Sequence, residues 1–139
     1  MKMIILLILI TSLLFDTPSF AQSTQEMLSA CKSLMTNIKT NGNDVIFSNT
    51  FAEGKCWGAF SVVHSIINVV IIGETEPMFR VCAPDESKLT ELISVFVKYA
   101  DDNPQRLHED FFMVAMNSLR ITFPCKKTNF KEQKKKSKQ

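Results

Sequence analysis

Glycine is scarce in this chain, four residues in 139, too few and too scattered to build a loop that cradles phosphate on backbone N–H groups. Cysteines at C-x-x-C spacing are missing, and neither of the two histidines stands near a cysteine pair, so the ligand spacing of a zinc site is absent. A nucleophilic triad has no foundation. His64 shares a helix face with Ser61, but that face carries no carboxylate to orient the imidazole, and it reads as part of a solvated polar stripe. His108 falls in a first helical turn beside Glu109 and Asp110, acids that suit the positive end of a helix dipole rather than acid–base work. These absences argue against an enzyme and against a bound metal or cofactor.

The apolar run at the N-terminus is also short. Ile4 to Phe15 follows Lys2 and is cut off by Asp16-Thr17-Pro18, well below the roughly 20 residues needed to cross a bilayer. Ser19 and Ala21 place small residues where a signal peptidase reads, so residues 1–21 fit a secretory leader cleaved after Ala21. No cysteine precedes Cys31, and a lipid anchor near the cut therefore has no thiol. The mature chain is expected to be exported, with a domain over 22–125 and a disordered lysine-rich tail over 126–139. The tail holds seven lysines and one acid, about +6. Residues 22–125 carry eight Lys/Arg against twelve Asp/Glu, about −4. Such a tail either solubilises or is drawn weakly to an anionic surface. An exported acidic body offers nucleic acid no basic face.

Four amphipathic segments follow. Ser23-x-x-Glu26 is a capping-box pattern, and Met27, Cys31, Leu34 and Ile38 recur at helical spacing, predicting a first helix over 23–39 that ends at Asn41-Gly42-Asn43. Residues 43–54 read as an irregular connection whose Val45, Ile46, Phe47 and Phe51 pack on the body, with a short helix or strand left open. A second helix over 55–71 is apolar on most of its circumference: Cys56, Phe60, Val63, Ile67 and Val70 are flanked by Ala59, Val62, Ile66 and Val69. It is either the bundle's centre or a subunit interface, although its valines and isoleucines also suit a strand. After the turn Gly73–Pro77, a third helix runs from Pro84 to about Asp101 on Leu89, Leu92, Ile93, Phe96, Val97 and Ala100. Asn103-Pro104 opens a fourth, which buries Leu107, Phe111, Val114, Ala115 and Leu119 and stops before Pro124.

Four cysteines in an exported domain read as two disulfides. Cys82 precedes the third helix and Cys125 follows the fourth, and the short link Asp101–Asn103 folds these helices into an antiparallel hairpin. That brings Cys82 to Cys125 and leaves Cys31 for Cys56. The expected fold is all-α, a small disulfide-stapled four-helix domain, with the wide apolar face of the second helix predicting a homodimer.

GKCWG at 54–58, CAP at 82–84, KLTELISVFVKYADDNPQRLHED at 88–110 and MVAMNSLRITFPC at 113–125 together resemble the Rap/Tai family of small exported immunity proteins of type VI secretion systems. The resemblance covers Cys31 to Cys125. It implies a periplasmic helical protein, frequently dimeric, that binds and blocks a peptidoglycan-cleaving amidase effector delivered by neighbouring cells. It also implies structural roles for Cys31, Cys56, Cys82 and Cys125, and makes Gly58 the small residue that lets helices approach. Ala59 departs from the aromatic that often follows that glycine, with Phe60 in its stead, and the lysine tail is extra.

The segment Gly73–Arg80 is the candidate toxin-binding element: Glu74 and Glu76 are acidic, Met78 and Phe79 suit a pocket, and Arg80 closes the turn. Each of these side chains also has a plain connecting-loop reading, with Phe79 packed inward. The alternative function is a periplasmic chaperone or lipid-carrying helical module, to which the apolar second helix is equally suited.

Overall fold

The computed structural model describes residues 22–126 apart from 42, 43, 47 and 49; the expected leader, residues 1–21, and the lysine tail from 127 onward lie outside the described residues. Four helices form the body: α1 (Thr24–Asn37), α2 (Phe51–Ile67), α3 (Leu89–Asp102) and α4 (Phe111–Thr122). Between α1 and α2 lies a small antiparallel pair, β1 (Lys39–Asn41) and β2 (Asp44–Ile46), in which Lys39 faces Ile46 and Asn41 faces Asp44. Among the described residues no helix is long and apolar enough to cross a membrane.

Helix α1 begins as its sequence dictates. The Ser23 hydroxyl accepts a hydrogen bond from Glu26 N–H at 3.3 Å, but the Glu26 carboxylate does not complete a capping box. It pairs with Lys55 of α2 at 2.7 Å. Two further free N–H groups of the first turn, at Thr24 and Gln25, donate to the carbonyls of Glu109 and Leu107, both at 2.9 Å. This is why the expected fourth helix does not run unbroken from Pro104. Residues Pro104–Arg106 make one 3-10 turn, the following carbonyls are turned toward α1, and α4 starts only at Phe111, where the Asp110 side chain accepts from Met113 N–H at 3.1 Å.

The α1 stripe buries Met27, Cys31 and Leu34 as spaced. The helix stops at Asn37, because Ile38 is already extended and leads into β1. Helix α2 starts four residues before the expected Lys55. Thr50 caps it, its hydroxyl accepting from Glu53 N–H at 3.3 Å, and the Glu53 side chain is fully buried. Of the apolar residues expected to tie the connection to the body, Phe47 lies outside the described residues and Val45 is half-buried, whereas Ile46 and Phe51 lie largely in water, Phe51 with 86% of its surface exposed.

At the centre of the molecule three rings meet, one each from α2, α3 and α4. Phe60, Phe96 and Phe111 have centroids 5.3–5.6 Å apart in tilted or edge-on pairs, arrangements that add to what their burial already contributes. Around them pack Leu34, Val63, Ile67, Leu92, Ile93, Val114 and Leu119, all without exposed surface to speak of. Helices α1 and α3 each pack against all three others, and α2 meets α4 through the Phe60–Phe111 contact. The second helix gives Cys56, Phe60, Val63 and Ile67 to this core and leaves Val62 exposed on its other side.

Gly58 corrects an expectation of the family resemblance. It is exposed, and a Cβ built there meets nothing within 4 Å. The packed stripe of α2 is Cys56, Phe60, Val63 and Ile67, and a residue two positions from Cys56 points the other way.

Both disulfides are formed as the helical hairpin requires, Cys31–Cys56 with Cα atoms 5.2 Å apart and Cys82–Cys125 at 4.9 Å. The second closes the α3–α4 hairpin beside a backbone bridge between Val81 and Pro124, where Cys82 N–H donates to Phe123 O at 2.9 Å.

Candidate functional site

Past Ile67 the chain leaves the bundle and returns at Val81. Four consecutive aliphatic residues follow the helix, Val69 to Ile72, and β-branched side chains crowd a helix while suiting extended backbone. The excursion is a folded projection with its own hydrogen bonds. Val70 bridges to Pro77, Met78 N–H donates to Val69 O at 2.8 Å, and Glu74 N–H donates to Ile71 O at 2.9 Å. Gly73, at φ 94°, supplies the left-handed backbone of the turn. Ile72 at the tip is fully exposed, and Val69, Val70 and Ile71 are each about half exposed.

The returning segment is fixed from two sides. The Phe79 ring stands edge-on to Phe112 of α4, centroids 5.8 Å apart, and beyond it Val81 is buried and Cys82 is cross-linked. Of the residues singled out in the sequence, Glu74 is exposed near the tip, Glu76 is half-buried, Met78 and Arg80 are exposed, and Phe79 packs inward against the body. Arg80 adopts φ 53° with its N–H donating to Pro77 O at 2.8 Å. A non-glycine residue in this region is held there against its preference, a feature that clusters at binding sites.

Between this returning segment and α4 runs a groove of about 360 Å³. Its wall is apolar: Phe79 and Phe112, with Met78, Met113 and Met116 around them. Helical spacing puts Met113, Met116, Asn117 and Arg120 on one face of α4. Arg106, from the 3-10 turn, enters from the end and is tightly held. Its guanidinium donates to both oxygens of Glu109, at 2.9 and 2.6 Å, and to the Tyr99 hydroxyl at 2.7 Å. These bonds hold the Arg106 pKa above its ordinary value and the Glu109 carboxyl below its own. The same Tyr99 oxygen accepts from Asn117 Nδ2 at 2.9 Å, and Asn117 Oδ1 accepts from Arg120 at 3.0 Å. One hydrogen-bonded chain thus sets the position of two arginine heads along the groove. The third, Arg80, has a distant partner in Glu76, 3.9 Å away, and no nearer acid among the described residues.

Sequence reasoning found the returning segment but missed Arg106, Phe112, Met113, Met116, Asn117 and Arg120. One signal was available: the chain has only three arginines against thirteen lysines, and all three line this groove. Elsewhere the described residues offer little chemistry. The Ser61 hydroxyl donates to Trp57 O on its own helix at 2.8 Å rather than to His64, and no cluster of three His, Cys, Asp or Glu among the described residues is placed to hold a metal. The described residues thus present a hydrogen-bonded projection with an apolar tip beside a cationic, apolar-walled groove.

The chain matches the family model of the Rap1a immunity proteins over residues 23–125. Comparison with curated proteins and with solved structures finds no match. The family match runs from the N-cap of α1 to the cysteine that closes the last disulfide, and this chain accordingly belongs to the Rap1a immunity protein family.

Proposed function

We propose that this chain is a periplasmic immunity protein of a type VI secretion system, which binds a peptidoglycan amidase effector and occludes its active-site cleft. The observation that carries the reading is the projection 69–80. It stands out from a stapled helical body, exposes Ile71, Ile72, Glu74 and Met78, and is held at its base by the Phe79–Phe112 contact and the Cys82–Cys125 bond. Occlusion requires no catalytic group, only an element that does not yield when pressed into a cleft. Two disulfides support an oxidising compartment, and the leader-like residues 1–21 support export. The exposed Val62 and half-buried Ile66 on one side of α2, with the exposed Val69 just past its end, support a twofold dimer.

The test is direct. Purified, oxidised mature protein is mixed with the amidase encoded beside its gene, and release of free amines from isolated cell walls is followed. Hydrolysis should cease near a 1:1 ratio, and Glu74, Glu76, Met78, Phe79 and Arg80 should include contact residues. An unchanged rate at tenfold excess would exclude that amidase as the target.

A further inference from the structure

We propose that the arginine groove between the Met78–Arg80 turn and α4 is a second docking site, one that takes an acidic side chain flanked by apolar residues from the bound effector. The inference rests on the immunity reading for the identity of the partner, but its chemistry is read from the groove alone.

All three arginines of the chain converge there, while no lysine lines it among the described residues. Arginine differs from lysine in presenting a flat fork of donors matched to a carboxylate. A random scatter of surface cations would have been mostly lysine in this sequence. The groove also holds more positive charge than it neutralises. Glu109 is engaged with Arg106, Arg120 has the neutral Asn117, and Arg80 keeps its head largely in water with Glu76 no nearer than 3.9 Å. No carboxylate is among the described lining residues. This cationic spot sits on a body whose net charge is about −4, so it marks where an acidic partner group would be steered.

The remaining walls choose the neighbours of that acid. Phe79, Phe112 and Met116 form an apolar surface, and the exposed Met78 and Met113 are flexible enough to mould around a side chain. The lysine tail of this chain is excluded as occupant by its charge. Cell-wall stem peptides carry carboxylates too, but they are built of small and charged residues and leave the apolar wall unused. The fit is to a protein segment.

The experiment uses the full mature protein, isotopically labelled at methionine methyls and arginine side chains, titrated with acetyl-Leu-Glu-Phe-amide, its Gln counterpart, and a stem tetrapeptide. Saturable shifts at Met113, Met116, Arg80 and Arg120 are expected with the Glu peptide, with binding weaker by about tenfold for the Gln peptide, the loss that one charge-assisted hydrogen bond represents. The double variant Arg80→Gln/Arg120→Gln should abolish that difference, while Lys32→Gln/Lys98→Gln should preserve it. Equal or absent shifts with the two peptides, or tighter binding of the stem tetrapeptide, would overturn the proposal. The amidase then separates the two readings. If wild-type protein does not bind it, the immunity reading fails for that toxin; if the double arginine variant binds it as tightly as wild type, the groove proposal alone fails.

Discussion

Glu53 is the residue whose local chemistry most constrains the body. It is fully buried, and its carboxylate is ringed by neutral donors: Asn37 at 2.7 Å, Ser48 at 2.8 and 2.7 Å to its two oxygens, and Ser33 at 3.2 Å. It thereby joins the end of α1, the connection after β2 and the start of α2. The hydrogen bond from Asn37, then those from Ser48, hold its pKa below the ordinary 4.5 against the opposing effect of burial. A carboxylate depressed in the folded state contributes stability that is complete above its unfolded value and is lost as pH falls through the folded one. Thermal midpoints followed by circular dichroism should therefore drop as pH falls below 4.5. Glu53→Gln should lie several degrees lower at neutral pH and show a flatter acid limb, since an amide turns one acceptor oxygen into a donor facing Asn37 or Ser48. Parallel pH profiles for the two proteins would mean that other acids, Glu26 and Glu109 among them, cause the acid limb. This cage was partly legible: Thr50-x-x-Glu53 is a capping pattern as clear as Ser23-x-x-Glu26, but it lay inside a stretch read as irregular. The groove was less so. Arg80 and its neighbours form a local turn, whereas Arg106 and Arg120 reach them only through the α3–α4 fold.

The elements read most clearly were those with a clean apolar stripe. Helices α1 and α3 alternate core and solvent positions, so periodicity located their stripes, although α3 starts at Leu89 rather than at Pro84. Helix α2 overran its true end because Val69, Val70 and Ile71 continue the apolar pattern, yet they serve a bridged projection that leaves them exposed. The fourth helix lost its first turns because α1 needs the carbonyls of Leu107 and Glu109, a demand made by a distant part of the chain. The disulfides were legible because a helical hairpin dictates which ends meet. They span 25 and 43 residues of sequence, and restriction of the unfolded chain gives each about 3.5–4 kcal/mol. Their consequences should differ. Cys31→Ala/Cys56→Ala removes a fully buried link between α1 and α2 and should lower unfolding free energy by about 2–5 kcal/mol in denaturant titrations. Cys82→Ala/Cys125→Ala should cost a similar amount and also loosen the base of the 69–80 projection, raising amide exchange over 77–83 well before global unfolding. Unaltered exchange there in the second variant would show that the Phe79–Phe112 contact and the Val81–Pro124 bridge suffice to fix the projection.

For the molecule as a whole, the question is what covers the outer side of α2. Val62 is 60% exposed and Ile66 is half-buried, four residues apart on one side of the helix, and Val69, 46% exposed, follows just past its end. The side facing inward is carried by Phe60, Val63 and Ile67. Adjacent residues therefore have opposite fates, and a charge placed at each separates folding from association. Val63 is 1% exposed, and Val63→Glu buries a carboxylate with no partner, which should unfold the domain. Val62→Glu meets water in a single protomer and should leave thermal stability within about 0.5 kcal/mol of wild type when both are compared as monomers. In a twofold dimer the same change sets two carboxylates near one another across an apolar seam, a juxtaposition that costs several kcal/mol in association. Light scattering of the mature protein at micromolar concentration should give twice the protomer mass for wild type and the protomer mass for Val62→Glu. A wild type that already scatters as a single protomer would leave the outer face of α2 without a second copy to cover it, and the dimer would have to be given up while the groove and the projection keep their roles.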